Sequence, residues 1–168
     1  MKEVKLDKVV LNIAVGNDEA KLAKAMKLLE TITGRKSIKT LAKKRLAAWK
    51  LRPGLPIGCK VTLRGKIAND VLSRILDGVD RKVPETQFTD GSFSFGIKEY
   101  IQIPTVQYQR DLGILGFDVA VAFKRAGYRI AQRKIKRGKI PKRHRVKKQE
   151  VIDYAVKNFK IKLEEQDY

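Results

Sequence analysis

One cysteine, one histidine and two methionines are all that this 168-residue chain holds of the soft, metal-seeking side chains. Cys59 has no partner for an internal disulfide, and with His144 as the sole imidazole it cannot complete a structural zinc site. Redox and zinc chemistry are excluded on that count. Long apolar runs are missing too: the opening MKEVKLDKVVLNIAVG mixes charge with Val and Leu, and nowhere does a run approach the roughly eighteen residues that cross a bilayer. A soluble, cytoplasmic protein is expected. The 43% apolar content suffices for one core, so a single domain over residues 1–168 is expected.

The most informative absence is of acid. Between Glu30 and Asp70 no carboxylate occurs, yet eleven bases do, among them Arg35, Lys36, Lys43, Lys44, Arg45, Arg52, Lys60 and Arg64. Between Asp118 and Glu150 thirteen more stand without an acid, including Arg129, Arg133, Lys134, Lys136, Arg137, Lys142, Arg143 and Arg145. These two windows hold 24 of the 38 bases, so the net charge of +20 is concentrated and not spread over the chain. A solvated surface mixes signs to relieve repulsion, whereas tracking phosphates requires one sign along a path; the partner is nucleic acid. A membrane-surface helix is excluded because Pro53, Gly54, Pro56, Gly58, Gly127, Gly138 and Pro141 interrupt both windows.

Periodicity supplies the fold class. Val9, Leu11, Ile13 and Val15 alternate with Val10, Asn12 and Ala14 up to Gly16, predicting a strand with Asn12 on its second face. Asn17 or Asp18 can cap a helix carrying Leu22, Met26, Leu29 and Ile32 and ending at Gly34. A lone glycine in that turn makes neither a dinucleotide fingerprint nor a P-loop. Ser37–Leu41 and Ala47/Trp49/Leu51 read as basic strands, Cys59/Val61/Leu63 as a further strand backed by Lys60, Thr62 and Arg64, with Arg52–Gly58 as a stiffened loop in a basic hairpin. Ile67, Val71, Leu72, Ile75 and Val79 predict a second helix; Phe93/Phe95/Ile97, Tyr100–Val106 and Phe117–Phe123 predict strands; and Ile152, Ala155, Val156, Phe159 and Leu163 a last helix, after which Glu164, Glu165 and Asp167 restore acid. Residues 125–148 follow neither period and read as a basic extension. The sum is α+β: a largely antiparallel sheet with helices packed on one face.

The run PIGCKVTLRG (Pro56–Gly65), preceded by Trp49-Lys50-Leu51-Arg52, resembles the large-subunit ribosomal protein L-five family. Val10–Gly16, Ile32–Lys36, Phe93–Ile97 with Glu99, and Gly116-Phe117-Asp118 fall in that family's order, so the likeness covers Lys8 to Phe123. It implies no enzyme and no cofactor. It implies instead a protein that holds 5S ribosomal RNA in the central protuberance and touches large-subunit RNA and neighbouring 5S-binding proteins. A protruding hairpin loop would reach the peptidyl-site tRNA, and a bridge would meet protein S-thirteen of the small-subunit head. Carried over motif by motif, Asn12, Thr62 and Arg35 are 5S-binding positions and the tRNA-facing loop is Arg52, Pro53, Gly54, Leu55, Pro56, Ile57 and Gly58; Lys36 beside Arg35, and Lys60 and Arg64 on the hairpin face shared with Thr62, complete the expected 5S-binding set. Arg35 stands where bacterial members have glutamine, keeping a donor and losing an acceptor. Bacterial members also start with an extra helix and lack the 125–148 insertion, so this chain resembles archaeal and eukaryotic members, its compact length pointing to the archaeal ones. The insertion's bases are expected to contact further ribosomal RNA.

Each position also has a plainer role open to it. Asn12 and Thr62 are ordinary strand residues by type; Trp49 can stack on a base, but its alternation with Leu51 points to the core; Cys59 reads as a small buried hydrophobe. His144, flanked by Arg143 and Arg145, lacks a nucleophile or paired carboxylate beside it in sequence and reads as an RNA contact or a solvated side chain. The alternative functions are an RNA-processing enzyme, for which the carboxylates are too scattered (Asp77 with Asp80 reads as a solvated helix end), and a general RNA-binding factor. Few aromatics occupy the basic windows, so recognition should lean on phosphates, shape and 2′-hydroxyls. If about six to ten windowed bases neutralise phosphates, log affinity for RNA will fall with log salt at a slope of several units. Filter binding across a salt series measures it, and a slope near zero would remove the RNA surface.

Overall fold

The computed structural model describes residues 1–104 and 106–164. Its frame is a six-stranded antiparallel sheet in the order β2-β3-β1-β7-β6-β5, from β1 (Val4–Ala14), β2 (Ile38–Leu41), β3 (Pro56–Leu63), β5 (Phe88–Thr89), β6 (Ser92–Ile97) and β7 (Phe117–Arg125). A short parallel pair joins β4 (Lys82–Pro84) to β8 (Lys162–Glu164). The period-two pattern decides which face is buried: Val9, Leu11 and Ile13 of β1 lie beside Cys59, Val61 and Leu63 of β3 and Val119 and Val121 of β7, all within one core. Helices α1 (Glu19–Thr33), α2 (Lys66–Asp77) and α4 (Lys148–Phe159) cover that face with Leu22, Leu29, Ile32, Val71, Leu72, Ile75, Val151 and Ile152. Among the described residues, α1, α2 and α4 all direct their buried side chains to that core and not to the opposite face.

The ends of α1 follow from sequence. Asp18 Oδ1 accepts from Lys21 N (3.1 Å), and Gly34 takes the left-handed conformation with its N–H donating to Glu30 O at 2.8 Å. Burial pushes the Cys59 thiol up to about 11, so it packs as an inert hydrophobe.

Four expectations are corrected. Ala47–Trp49 is a single 3₁₀ turn followed by Lys50 at φ 52°, not a strand, because β2 and β1 already occupy both edges of β3. Trp49 is consequently 70% exposed and not core. Tyr100–Gln102 is likewise a 3₁₀ turn: Tyr100 and Ile103 are buried three residues apart, Pro104 offers no N–H to a ladder, and Tyr100 Oη accepts from Gln109 N at 3.1 Å. The last helix ends at Phe159; exposed Leu163 belongs to β8, Val156 is also exposed, and Ile161 enters the core. Glu165 and Asp167 lie outside the described residues.

The basic extension is pinned. Its start, Arg125 in β7, is buried and ion-paired with Glu150, whose other oxygen caps α4 by accepting from Lys147 N at 3.0 Å. Val146 reaches the core, its N–H donating to Tyr128 Oη at 3.1 Å, and His144 Nε2 donates to Ala126 O at 2.9 Å. His144 is thus a half-buried tether against the Tyr128 ring.

A bulge between Leu6 and Lys8 turns Asp7 toward Arg64 and Lys124, which lie 2.7 and 2.6 Å from its Oδ1. Burial alone would raise the Asp7 pKa, but the Lys124 hydrogen bond and the charges of Lys124, Arg64 and Lys8 bring it below 3.8. A carboxylate lowered in the folded state contributes stability above its unfolded pKa and loses it as pH falls through the folded value. Asp7→Asn should therefore cost about 1 kcal/mol at pH ~7 after allowance for solvent screening, and progressively less as the pH falls through the folded-state value. Urea unfolding of both proteins across that range checks the sign; a deficit that grows with acid would be inconsistent with it.

Candidate nucleic-acid interface

Antiparallel neighbours point their side chains to the same face, so strand register writes out the open surface row by row. Asn12 lies between Lys60 of β3 and Asp118 of β7; one step along, Val10 lies between Thr62 and Ala120. Asn12, Lys60 and Thr62 thus share one surface, with Lys60 and Thr62 exposed and Asn12 half-buried. Small neighbours Ala120, Ser94 and Gly96 keep the β7–β6 side low.

Arg35, Lys36 and Arg64 reach the same region from other elements. Thr33 Oγ1 donates to Leu29 O (2.6 Å) and accepts from Arg35 N (3.2 Å), fixing how the chain leaves α1 and presents the two bases. They line a groove of about 490 Å³ together with Ile38, Thr62, Arg64 and Ile67. Asp7 holds Arg64 at one margin and Lys124 at the other, and beyond Lys124 a second groove of about 440 Å³ runs to Arg129 and Gln132. The carboxylate acts as a clip, orienting two cations that would otherwise repel each other.

The basic hairpin is built differently from its sequence pattern. Arg52-Pro53-Gly54-Leu55 is a tight turn closed by Leu55 N to Arg52 O at 3.2 Å, with Gly54 at φ 86°, the left-handed position such a turn requires. Gly54 N bonds back to Ala42 O, and Ala42 N to Leu55 O, so the turn is the hairpin's neck. Pro56, Ile57 and Gly58 belong to β3 and not to a protruding loop; Leu55, Pro56 and Ile57 are half-buried. A Cβ at Gly58 would collide with Ile13 O and lie 3.0 Å from Thr40 Oγ1, so that glycine serves strand packing. The exposed part of the hairpin is Lys43–Lys50, which sequence reasoning places in the basic window and partly in a strand, not in the loop: Lys43, Lys44, Arg45, Trp49 and Lys50 are all exposed.

In the extension, α3 (Arg129–Gln132) begins with Arg129. Arg133 Nε donates to Lys136 O and Arg137 Nε to Ala131 O, both at 2.7 Å, so these guanidiniums brace the loop, and both residues remain exposed. Lys134, Lys136, Lys142, Arg143 and Arg145 are exposed. No cluster of three or more His, Cys, Asp or Glu positioned for a metal occurs among the described residues, and none of their helices is long and apolar enough to cross a membrane.

Comparison with known proteins gives this surface a context. The model of the family described as ribosomal protein L5 matches residues 1–52, and the model of the same ribosomal family's C-terminus matches residues 56–154. The large ribosomal subunit protein uL5 of Nanoarchaeum equitans is 46% identical over 164 residues, 97% of each chain. That of Sulfurisphaera tokodaii is 41% identical, covering 98% of this chain and 94% of its own, and that of Thermoplasma volcanium 44%, covering 97% of each. Matches of this extent to archaeal relatives, with both family segments contributing strands to the same sheet, establish that the chain belongs to the uL5 family of large-subunit ribosomal proteins.

Proposed function

We propose that the open sheet face and the groove beside it bind 5S ribosomal RNA, holding this protein in the central protuberance of the large subunit. The observation that carries this is the convergence of Asn12, Lys60 and Thr62 on one face with Arg35, Lys36 and Arg64 at its margin. A flat polar sheet bordered by cations suits an RNA backbone and its shallow groove, where phosphates supply affinity and 2′-hydroxyls supply hydrogen bonds. The family consists of ribosomal structural proteins and not enzymes, which ends the reading as an RNA-processing enzyme. The pinned extension, through Arg129, Lys134, Lys136, Lys142, Arg143 and Arg145, would meet further ribosomal RNA.

The finer assignments concern the hairpin. Its tip, Lys43–Lys50, is the part suited to a peptidyl-site tRNA, since a site passed by every elongator must hold phosphate and ribose in preference to base edges. Arg52, Pro53 and Gly54 would act as the stiff neck that presents it. A bridge to the small-subunit head protein S-thirteen and contacts with neighbouring 5S-binding proteins complete the proposal.

Asn12→Ala and Thr62→Val are each expected to weaken 5S RNA binding by roughly 1–3 kcal/mol while thermal melting stays near wild type. Neutralising Lys43, Lys44 and Arg45 together with Trp49→Ala should leave 5S affinity nearly intact and speed tRNA release from reconstituted ribosomes. Unchanged 5S affinity in both strand variants would sink the RNA face; an unchanged tRNA dissociation rate would sink the tip assignment alone.

A further inference from the structure

We propose that Asp118 is a hydrogen-bond acceptor for a donor in the shallow groove of the bound RNA, a ribose 2′-hydroxyl or a guanine 2-amino group. It would make the open face selective as well as attractive to phosphate. The proposal rests on the RNA-binding reading of that face and adds a specificity residue to it.

The strand register places Asp118 in the middle of the surface. Ile38 pairs with Lys60, Lys60 with Asn12, Asn12 with Asp118 and Asp118 with Gly96, a single row across five strands on one face. Across that row the chemistry runs from a cationic donor, through an amide that both donates and accepts, to an ionised carboxylate that only accepts, and ends at bare backbone. Lys60 and Asp118 stand two strand spacings apart, about 10 Å. That span lets Lys60 hold a phosphate while Asp118 meets a sugar or base edge of the same strand. A Cβ at Gly96 would lie 3.5 Å from Asp118 Oδ1, so the glycine keeps that flank of the carboxylate clear. Ala120, one pair along β7 on the same face, raises no wall beside it.

Asp7 makes the contrast. It sits at the margin of the same face, but Arg64 and Lys124 both bind it, so its charge is cancelled within the protein. Asp118 is exposed and makes no ion pair or side-chain hydrogen bond among the described residues. On a chain of net charge +20 whose face attracts phosphate, an uncompensated carboxylate between Asn12 and Gly96 weakens that attraction unless it gains a partner in the complex. An acceptor-only group can gain only a donor, and the outward donors of an RNA shallow groove are the 2′-hydroxyl and the guanine amino group. Phosphate supplies none.

The two roles open to Asp118 predict opposite signs. A merely solvated acid repels RNA, so Asp118→Asn and Asp118→Ala would bind 5S RNA more tightly than wild type or equally well. As an acceptor, its loss should weaken binding roughly tenfold in Asp118→Ala, the range for a hydrogen bond to a charged group, and less in Asp118→Asn, whose amide oxygen still accepts. Thermal melts accompany the affinities; the exposed position and the isosteric amide leave folding unaffected. Interference mapping then separates the two sources, using pools of 5S RNA carrying scattered 2′-deoxy or inosine substitutions selected against wild type and Asp118→Ala. A 2′-deoxy interference that vanishes in the variant identifies a ribose; an inosine interference that vanishes identifies a guanine amino group. Tighter or unchanged binding of Asp118→Ala, or no interference that depends on Asp118, overturns the inference. Asn12→Ala and Lys60→Ala keep the two levels apart: if they weaken binding while Asp118→Ala tightens it, only the Asp118 role fails, whereas if they too are silent the RNA face itself fails.

Discussion

Double-sided pairing of β1 is the constraint on which the rest depends. Strand β1 hydrogen-bonds to β3 along one edge and β7 along the other, so its alternation is imposed on both neighbours through register. Val9, Leu11 and Ile13 are buried, and in consequence Val10 and Asn12, with the residues opposite them, face away from the helices. A slip of one residue would bury Asn12 and Lys60 and expose Leu11 and Val61. Hydrophobic burial on one face therefore does the positioning for polar chemistry on the other, without a catalytic-style pocket.

Charge on this molecule is organised more than accumulated. The bulge at Asp7 places one acid where it binds two bases from strand ends far apart in sequence, Arg64 and Lys124, joining the two basic windows at one point. Arg125, adjacent in sequence to Lys124, turns inward and pairs with Glu150, so neighbouring bases in one window serve opposite purposes. One orients cations toward solvent; the other fastens α4 and the end of the extension to the sheet.

That fastening bears on the extension's character. Residues 125–148 are too polar to build a core of their own, yet Val146, Tyr128 and His144 tie both ends of the segment to the sheet and to each other. Ordering entropy is limited to the exposed stretch around Arg133–Lys139, whose arginines fold back on backbone carbonyls. The hairpin follows the same plan, with a hydrogen-bonded neck at Ala42, Gly54 and Leu55 and a basic tip beyond it.

Composition and periodicity determined the α+β class, the strands carrying Asn12 and Thr62, α1 with its Asp18 and Gly34 ends, burial of Cys59, and the two basic windows. These are local: an alternation or a cap shows in a few adjacent residues. Tertiary structure alone decided what depended on neighbours. Ala47–Leu51 alternates as a strand would, but both edges of β3 were taken, so it became a turn with Trp49 outside. Pro56–Gly58 has the composition of a loop, yet the space beside Ile13 drew it into β3. The strand expected from Tyr100 onward gave way at Tyr100–Gln102 to a 3₁₀ turn holding a buried tyrosine ahead of Pro104. The clip at Asp7 and the row through Asp118 depend on register between strands far apart along the chain, and no short window of sequence contains both partners of such a pair.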